Sequence, residues 1–437
     1  MRDDSGLYWI WLADKCGVAS KEFARLIARF EDPFEIYRLE PEEIEAIDFI
    51  GHRLKSALCE RSLERAYSII KYCKKNDVEI VTYEDRRYPS RLKRLEDPPA
   101  VLYCMGKLPD FENRLCIGMV GTRKISAYGM ESSYKISYEL AASNVCIVSG
   151  MALGVDAVAA CGALEARGDT VAVLGCGIDV VYPKEHTKLK RCISHEGAVI
   201  TEYPPMEAPY GKNFPKRNRI ISGLCQGVIV VEGNKRSGAM ITARCAIDQG
   251  REVFALPGKI NESNSEGTNQ LIKEGAYVVV SAEDILYHYD FLYNNVINYR
   301  GLKQAKSFSD FSKESVERYG VSSRIYFAPE KREIVWEESK TARTDTAPSV
   351  TVTAEMAVSD ASDGCDDEAA EDMSAQILEG LDPLTRRVFD MMPIDRAVSP
   401  DEFTESGVGI AEAITAFTML EINGLVVSLP GGAYMRK

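Results

Sequence analysis

A chain of 437 residues is longer than one ordinary domain, and 45% hydrophobic with 27% charged residues describes a globular protein able to build a substantial core. No apolar run reaches the length of a membrane span, and the N-terminal MRDDSGLYWIWLADKCG lacks the parts of a signal peptide, so a cytoplasmic location is expected. The formal charge of −13 does not exclude a nucleic-acid partner, because binding follows local patches and residues 360–372 alone hold seven acids and no base.

Residues 1–76 read as a small helical domain of the SAM/helix-hairpin-helix-like kind. Apolar residues recur at helical spacing over 7–12 and 23–30, Pro41 suits a first helical position, and Gly51 precedes Leu54, Ala57 and Leu58. A module of this type either binds phosphate through its glycine turn or simply packs. Over 77–290 the pattern changes to short apolar runs at 115–120, 145–149, 170–174, 198–202, 227–231, 252–255 and 277–280. Helical stretches alternate with them, at 132–142, 156–167, 188–195, 218–224, 242–249 and 269–273. This predicts an α/β fold: a Rossmann-like, mainly parallel sheet with helices on both faces and right-handed crossovers.

Residues 291–375 lose that regularity and read as an irregular acidic linker, in part disordered, since 341–372 is rich in Ser, Thr, Ala and acid with little to bury. Order returns over 376–437. Helices at 383–391, 400–404 and 410–422, stopped by Gly424, precede strands at 425–429 and 433–435 around Pro430-Gly431-Gly432. Three helices and a β-ribbon make a winged-helix-like domain. Its third helix would read a DNA groove, yet Glu412 and Glu421 are its only charges, so protein contact and simple packing compete with DNA binding.

Twelve cysteines stand singly with no C-x-x-C pair, and only four histidines accompany them. Buried thiols in a reducing compartment are therefore expected, and neither a metal nor a cofactor. Ligands of an open parallel sheet bind outside the carboxyl ends of its strands. Glycine and polar clusters fall at those ends: Gly121-Thr122-Arg123-Lys124, Ser149-Gly150 through Asp156, Gly175-Cys176-Gly177, and Glu232-Gly233 leading to Ser237-Gly238 before a helix near Thr242. Glycines let backbone amides approach an anion, and a following helix start adds a positive dipole end. A phosphate-binding cleft is expected there, with Arg123, Ser149 and Ser237 on it.

The stretch from Lys212 to Leu224 is the most informative. Lys212, Lys216, Arg217 and Arg219 are four bases without an acid, and Pro215 predicts a helix starting just after it. Cations crowding a helix start oppose its dipole, a conflict that an anion between them would resolve. Phe214 offers a stacking face, with Tyr182, Tyr203 and Tyr210 as lesser candidates. A basic groove with an aromatic platform suits single strands without sequence preference. The bland alternative is a solvated basic helix with Phe214 in the core.

The string FPKRNRIISGL, preceded by GTRKISAYG, SGMALGVDAVA, GCGIDVVYPKEH and TEYPP and followed by EGNKRSGAMITA, GREVFALPG and GTNQLIKEGA, resembles the DprA/Smf family in content and order. The resemblance covers residues 83–289. It implies a Rossmann-like protein that binds and protects single-stranded DNA, loads the RecA recombinase in transformation or recombination, and forms a homodimer. Carried over by position, it implies DNA contacts at Arg123, Ser149, Gly150, Lys184, Phe214, Lys216, Arg217, Asn218, Arg219, Ser237, Gly238 and Thr242. A C-terminal winged-helix-like module is also implied. His186 departs from the family's usual Asn, and Ala239-Met240 from its commoner Ser-Leu.

Two other classes compete. A nucleotide phosphoribohydrolase of the LOG type needs P-G-G-x-G-T-x-x-E, whereas here Pro257-Gly258 is separated from Gly267-Thr268 and Leu271 stands where the Glu would be. Neither a G-x-G-x-x-G turn nor an ATP-binding G-x-x-x-x-G-K-[ST] loop occurs, so no enzyme activity is expected. A recombinase adaptor without DNA binding would have no use for the 212–219 cluster.

Overall fold

The computed structural model describes residues 6–304, 318–321, 382–393, 398–406, 408–422, 425–429 and 433–436. Most of the expected linker, including 341–372, as well as Gly424 and the 430–432 turn, lies outside them. The chain divides into two compact units, Met1–Val335 and Trp336–Lys437.

The first unit opens with six helices: α1 (Leu7–Cys16), α2 (Lys21–Phe30), α3 (Pro33–Arg38), α4 (Pro41–Glu45), α5 (His52–Cys59) and α6 (Glu64–Lys75). Local chemistry starts several of them. Ser20 accepts the Phe23 amide at 3.2 Å to cap α2, and Asp32 accepts the Phe34 amide at 2.9 Å ahead of Pro33. Trp11, Leu12, Phe23 and Leu58 join the same hydrophobic core as Tyr103, Ile117 and Ile147 of the sheet. The helical segment and the sheet thus share one hydrophobic core.

The rest of the unit runs β1 (Glu79–Thr82), α7 (Ser90–Lys93), β2 (Val101–Gly106), β3 (Cys116–Val120), α8 (Ala127–Ala142), β4 (Cys146–Ser149), α9 (Val155–Glu165), β5 (Thr170–Val173), α10 (Thr187–Glu196), β6 (Ala198–Thr201), α11 (Asn213–Leu224), β7 (Gly227–Val230), α12 (Gly238–Asp248), β8 (Glu252–Ala255), α13 (Glu266–Lys273), β9 (Tyr277–Val278) and α14 (Ala282–Tyr293). Nine strands form one sheet in the order β1-β2-β6-β5-β4-β3-β7-β8-β9. The seven strands from β3 to β9 are mutually parallel, whereas β1 and β2 pair antiparallel at one edge. Strands β3 to β7 are buried at every position, as expected where helices cover both faces. The seven expected strands are all present, β9 being cut to two residues, and β1 and β2 are additional.

Chain order reverses at β3: β4, β5 and β6 lie to one side, and β7, β8 and β9 to the other. The loops leaving β3 and β7 therefore diverge and open a crevice at the strands' carboxyl ends. Gly121 makes the close approach there possible, since a β-carbon would collide with the Val155 side chain and the Glu232 carbonyl.

The second unit contains α15 (Pro383–Met391), a 3-10 turn at Pro400–Ser406, α16 (Ile410–Ile422), and the antiparallel ribbon β10 (Val426–Leu429) and β11 (Ala433–Arg436). Phe417 stacks on Tyr434 at 4.5 Å and meets Phe403 edge-on at 5.4 Å, tying helix, turn and ribbon together. This is the winged-helix-like arrangement. Among the described residues, no helix is long and apolar enough to cross a membrane.

Candidate nucleic-acid interface

A cleft of about 590 Å³ lies at the switch point, walled by the loop after β3, the start of α9, the first turns of α11 and the loop leading into α12. Its arrangement depends on where α11 begins. The helix starts at Asn213, two residues ahead of Pro215. Pro215 is tolerated because the first-turn amides of a helix have no intrahelical acceptor to lose. The start turns Phe214, Arg217 and Asn218 into the cleft.

Phe214 is half-buried, so it belongs neither to the core nor wholly to solvent. Tyr182 packs on its ring at 5.1 Å, tilted by 33°. The Arg123 and Arg217 guanidinium carbons stand 5.9 and 6.0 Å from the same ring centre. A seat for the ring is left by Gly175, where a β-carbon would come within 2.9 Å of Phe214 Cδ1. Arg123 is exposed and has no ion pair among the described residues.

Arg217 is buried at the cleft floor. It donates to the carbonyls of Gly150 (2.8 Å) and Val173 and to Asn218 Oδ1 (3.2 Å). Burial pushes its pKa down, and nearby Asp156 acts against that shift. Asp156 accepts the amides of Gly150 (3.0 Å) and Ala152 (3.4 Å), and burial raises its carboxyl above the usual range. Glycine at position 150 leaves the Arg217 guanidinium its place, where a β-carbon would fall on it.

The remaining expected residues divide into two groups. Ser237, Gly238 and Thr242 line the cleft with Asn218, whose Nδ2 donates to the Gly238 carbonyl at 3.3 Å. Ser237 is the N-terminal residue before α12, which begins at Gly238 and not at Thr242, and its Oγ makes no hydrogen bond among the described residues. That helix start is open to an anion. Ser149 lies buried at the end of β4, beneath the cleft surface. Lys184 is exposed on a 3-10 turn and does not line the cleft. Lys216 faces a separate groove. Arg219 is buried and pairs with Glu202 at 2.5 Å and Asp97 at 3.4 Å. The basic run is therefore not one patch: Lys212 and Lys216 share the groove, Arg217 faces the cleft and Arg219 is paired inside, because successive helical residues turn by about 100°. Of the lesser aromatic candidates, Tyr203 is buried with its hydroxyl on the Asn213 carbonyl, and Tyr210 is exposed beside Lys212.

Two residues organise the rim in a role that the sequence did not assign to them. The Glu232 carboxylate, buried at the end of β7, accepts the Ser126 amide at 3.0 Å and the Ser126 hydroxyl, while its carbonyl accepts the Thr122 amide at 2.8 Å. Asn264 donates to the Lys124 carbonyl at 3.0 Å and accepts the Gly233 amide on its own carbonyl. Together they clamp the loop that presents Arg123. Only a three-dimensional view links positions more than a hundred residues apart.

The sequence profile of the DNA recombination-mediator protein A family matches residues 79–290. The DNA processing protein DprA of Bacillus subtilis is 36% identical over 237 residues, which cover 53% of this chain and 80% of that protein. The chain belongs to the DNA recombination-mediator protein A family. Its Streptococcus pneumoniae member, another DNA processing protein DprA, is 42% identical over 207 residues, covering 47% of this chain and 73% of that protein. The X-ray structure of DNA processing protein A from that organism superposes with a TM-score of 0.56 at 34% identity, covering 64% of this chain and 96% of the other. The matched segment of the family contains every wall of the cleft.

Proposed function

We propose that the cleft binds single-stranded DNA and that the protein works as a recombination mediator, protecting the strand and delivering it to a RecA-type recombinase in DNA uptake or recombination. One observation carries this reading: the Arg123 and Arg217 guanidinium groups converge on the Phe214 ring, 5.9 and 6.0 Å from its centre. A base stacks on an aromatic face whatever its identity, and cations beside it hold the flanking phosphates. The α12 start and the Arg123 and Arg217 guanidinium groups at the cleft suit phosphate. The protein acts by binding, without turnover, in the cytoplasm, where its unpaired cysteines stay reduced.

A homodimer is part of the proposal. The β9 edge and α14 expose Tyr277, Val278, Val280, Tyr287, Phe291 and Leu292, with Phe291 91% exposed. An open strand edge beside such a patch suits a second copy of the same surface.

The test is titration of labelled oligo-dT and an equal-length duplex at two salt concentrations. Oligo-dT is expected to bind more tightly, with affinity falling steeply as salt rises. Arg123→Ala is expected to weaken binding about tenfold or more without moving the thermal midpoint, because the side chain is exposed. Equal affinity for duplex, or hydrolysis of a nucleoside monophosphate, would overturn the reading.

A further inference from the structure

The far side of α11 borders a second groove, of about 660 Å³, between that helix start and the N-terminal helices. We propose that it is a second phosphate site, occupied by the backbone of the same single strand where it leaves the cleft; this rests on the single-strand reading above. The tip of α11 is the ridge between the two. Phe214, Pro215 and Arg217 face the cleft, whereas Lys212, Asn213 and Lys216 face the groove, as helical spacing of three and four requires.

Charge accounting favours an anion. Lys15 is taken by Glu60 at 2.7 Å, Arg65 by Asp14 at 3.0 Å, and Glu202 by Arg219 at 2.5 Å. Glu22 accepts the Gly51 amide at 2.7 Å. What stays without an ion pair among the described residues is Arg53, Lys212 and Lys216 against Glu22 and Glu207, which leaves a cation in excess. Independently of charge, the side-chain amide of Asn213, only 3% exposed, lies at the groove with a donor nitrogen that has no partner among the described residues. A buried amide donor left unpaired is unfavourable, and a phosphate oxygen would relieve it. The start of α5 at Gly51 and Arg53 forms the opposite wall and adds its positive end.

The experiment compares oligo-dT of about 6 and about 25 nucleotides, since a short strand fills the cleft and a long one reaches further. Arg53 is exposed, so Arg53→Glu does not threaten the fold, and a thermal melt verifies this. Arg53→Glu is expected to weaken the long strand about tenfold while sparing the short one. Arg53→Glu with Lys216→Glu is expected to make the long-strand salt slope shallower by roughly 0.7 for each phosphate no longer neutralised. An unchanged long-strand affinity and slope, or equal weakening at both lengths, would overturn the groove. Arg123→Ala run in parallel separates the two readings: if it weakens both lengths while the Arg53 variants do nothing, only the groove fails, and if it too does nothing, the cleft fails.

Discussion

On the cleft side of α11, the Arg217 guanidinium is held by backbone carbonyls of Gly150 and Val173; two residues along, Arg219 is held by the carboxylates of Glu202 and Asp97. Both side chains are buried and both come from one basic run. A carbonyl dipole fixes the direction of a cation but leaves its charge, whereas a carboxylate cancels it. Asp156 offsets part of the Arg217 charge, and exposed Arg123 adds a second cation beside the Phe214 ring. Positive potential therefore survives at the cleft and is spent internally around Arg219. Counting lysines and arginines in a segment measures neither.

The sharpest way to break this contrast is to remove Arg219. Arg219→Ala strands two carboxylates, one fully buried, and is expected to cost about 3–5 kcal/mol of stability. Chemical denaturation would show this as a large drop in midpoint, while the protein that remains folded keeps its affinity for oligo-dT. Loss of affinity at unchanged stability would put Arg219 in the interface after all. Next in size is Phe214→Ala, which removes the platform and is expected to weaken oligo-dT by about 1–3 kcal/mol, with Phe214→Tyr close to unchanged. The salt slope should stay where it was, because a stacking face releases no counterions. A changed slope would show that Phe214 acts only by positioning its two arginines.

The sheet's parallel portion was legible because strands buried on both faces are written as unbroken apolar runs, such as Gly227–Val230. The edge strands were not. Glu79–Thr82 is half-exposed, and Val101–Gly106 follows the turn-rich Asp97-Pro98-Pro99, so neither carries the regular alternation with helices. Arg123 and Ser237 could be placed because each follows a strand end, and topology alone delivers strand ends to one rim. The directions of Lys216 and Arg219 could not be, since that depends on which face of α11 packs inward. Pro215 also masked the first two residues of that helix, a boundary set by tertiary packing more than by propensity.

The smallest expected effect concerns the support beneath Arg217. His186 is buried and its Nδ1 lies 2.9 Å from the carbonyl of Met151, the residue between Gly150 and Ala152 whose amides hold Asp156. Burial pushes the imidazole pKa below its ordinary 6.5, against the opposing pull of the Met151 carbonyl, Glu185 and Asp156. A base whose folded pKa is depressed contributes stability that is complete above 6.5 and is lost as pH falls through the lower folded value. Buried Asp156, Glu202 and Glu232 have raised values and act in the opposite sense, favouring the folded state as pH falls. Those three remain in both proteins when wild type is compared with His186→Asn, and so largely cancel in the difference. Asparagine can still donate to Met151 but does not titrate. Between about pH 7.5 and about pH 5, thermal stability is expected to fall further in the wild type than in the variant. Identical pH profiles would mean that the imidazole titrates alike in the folded and unfolded chains, so that burial does not depress its pKa.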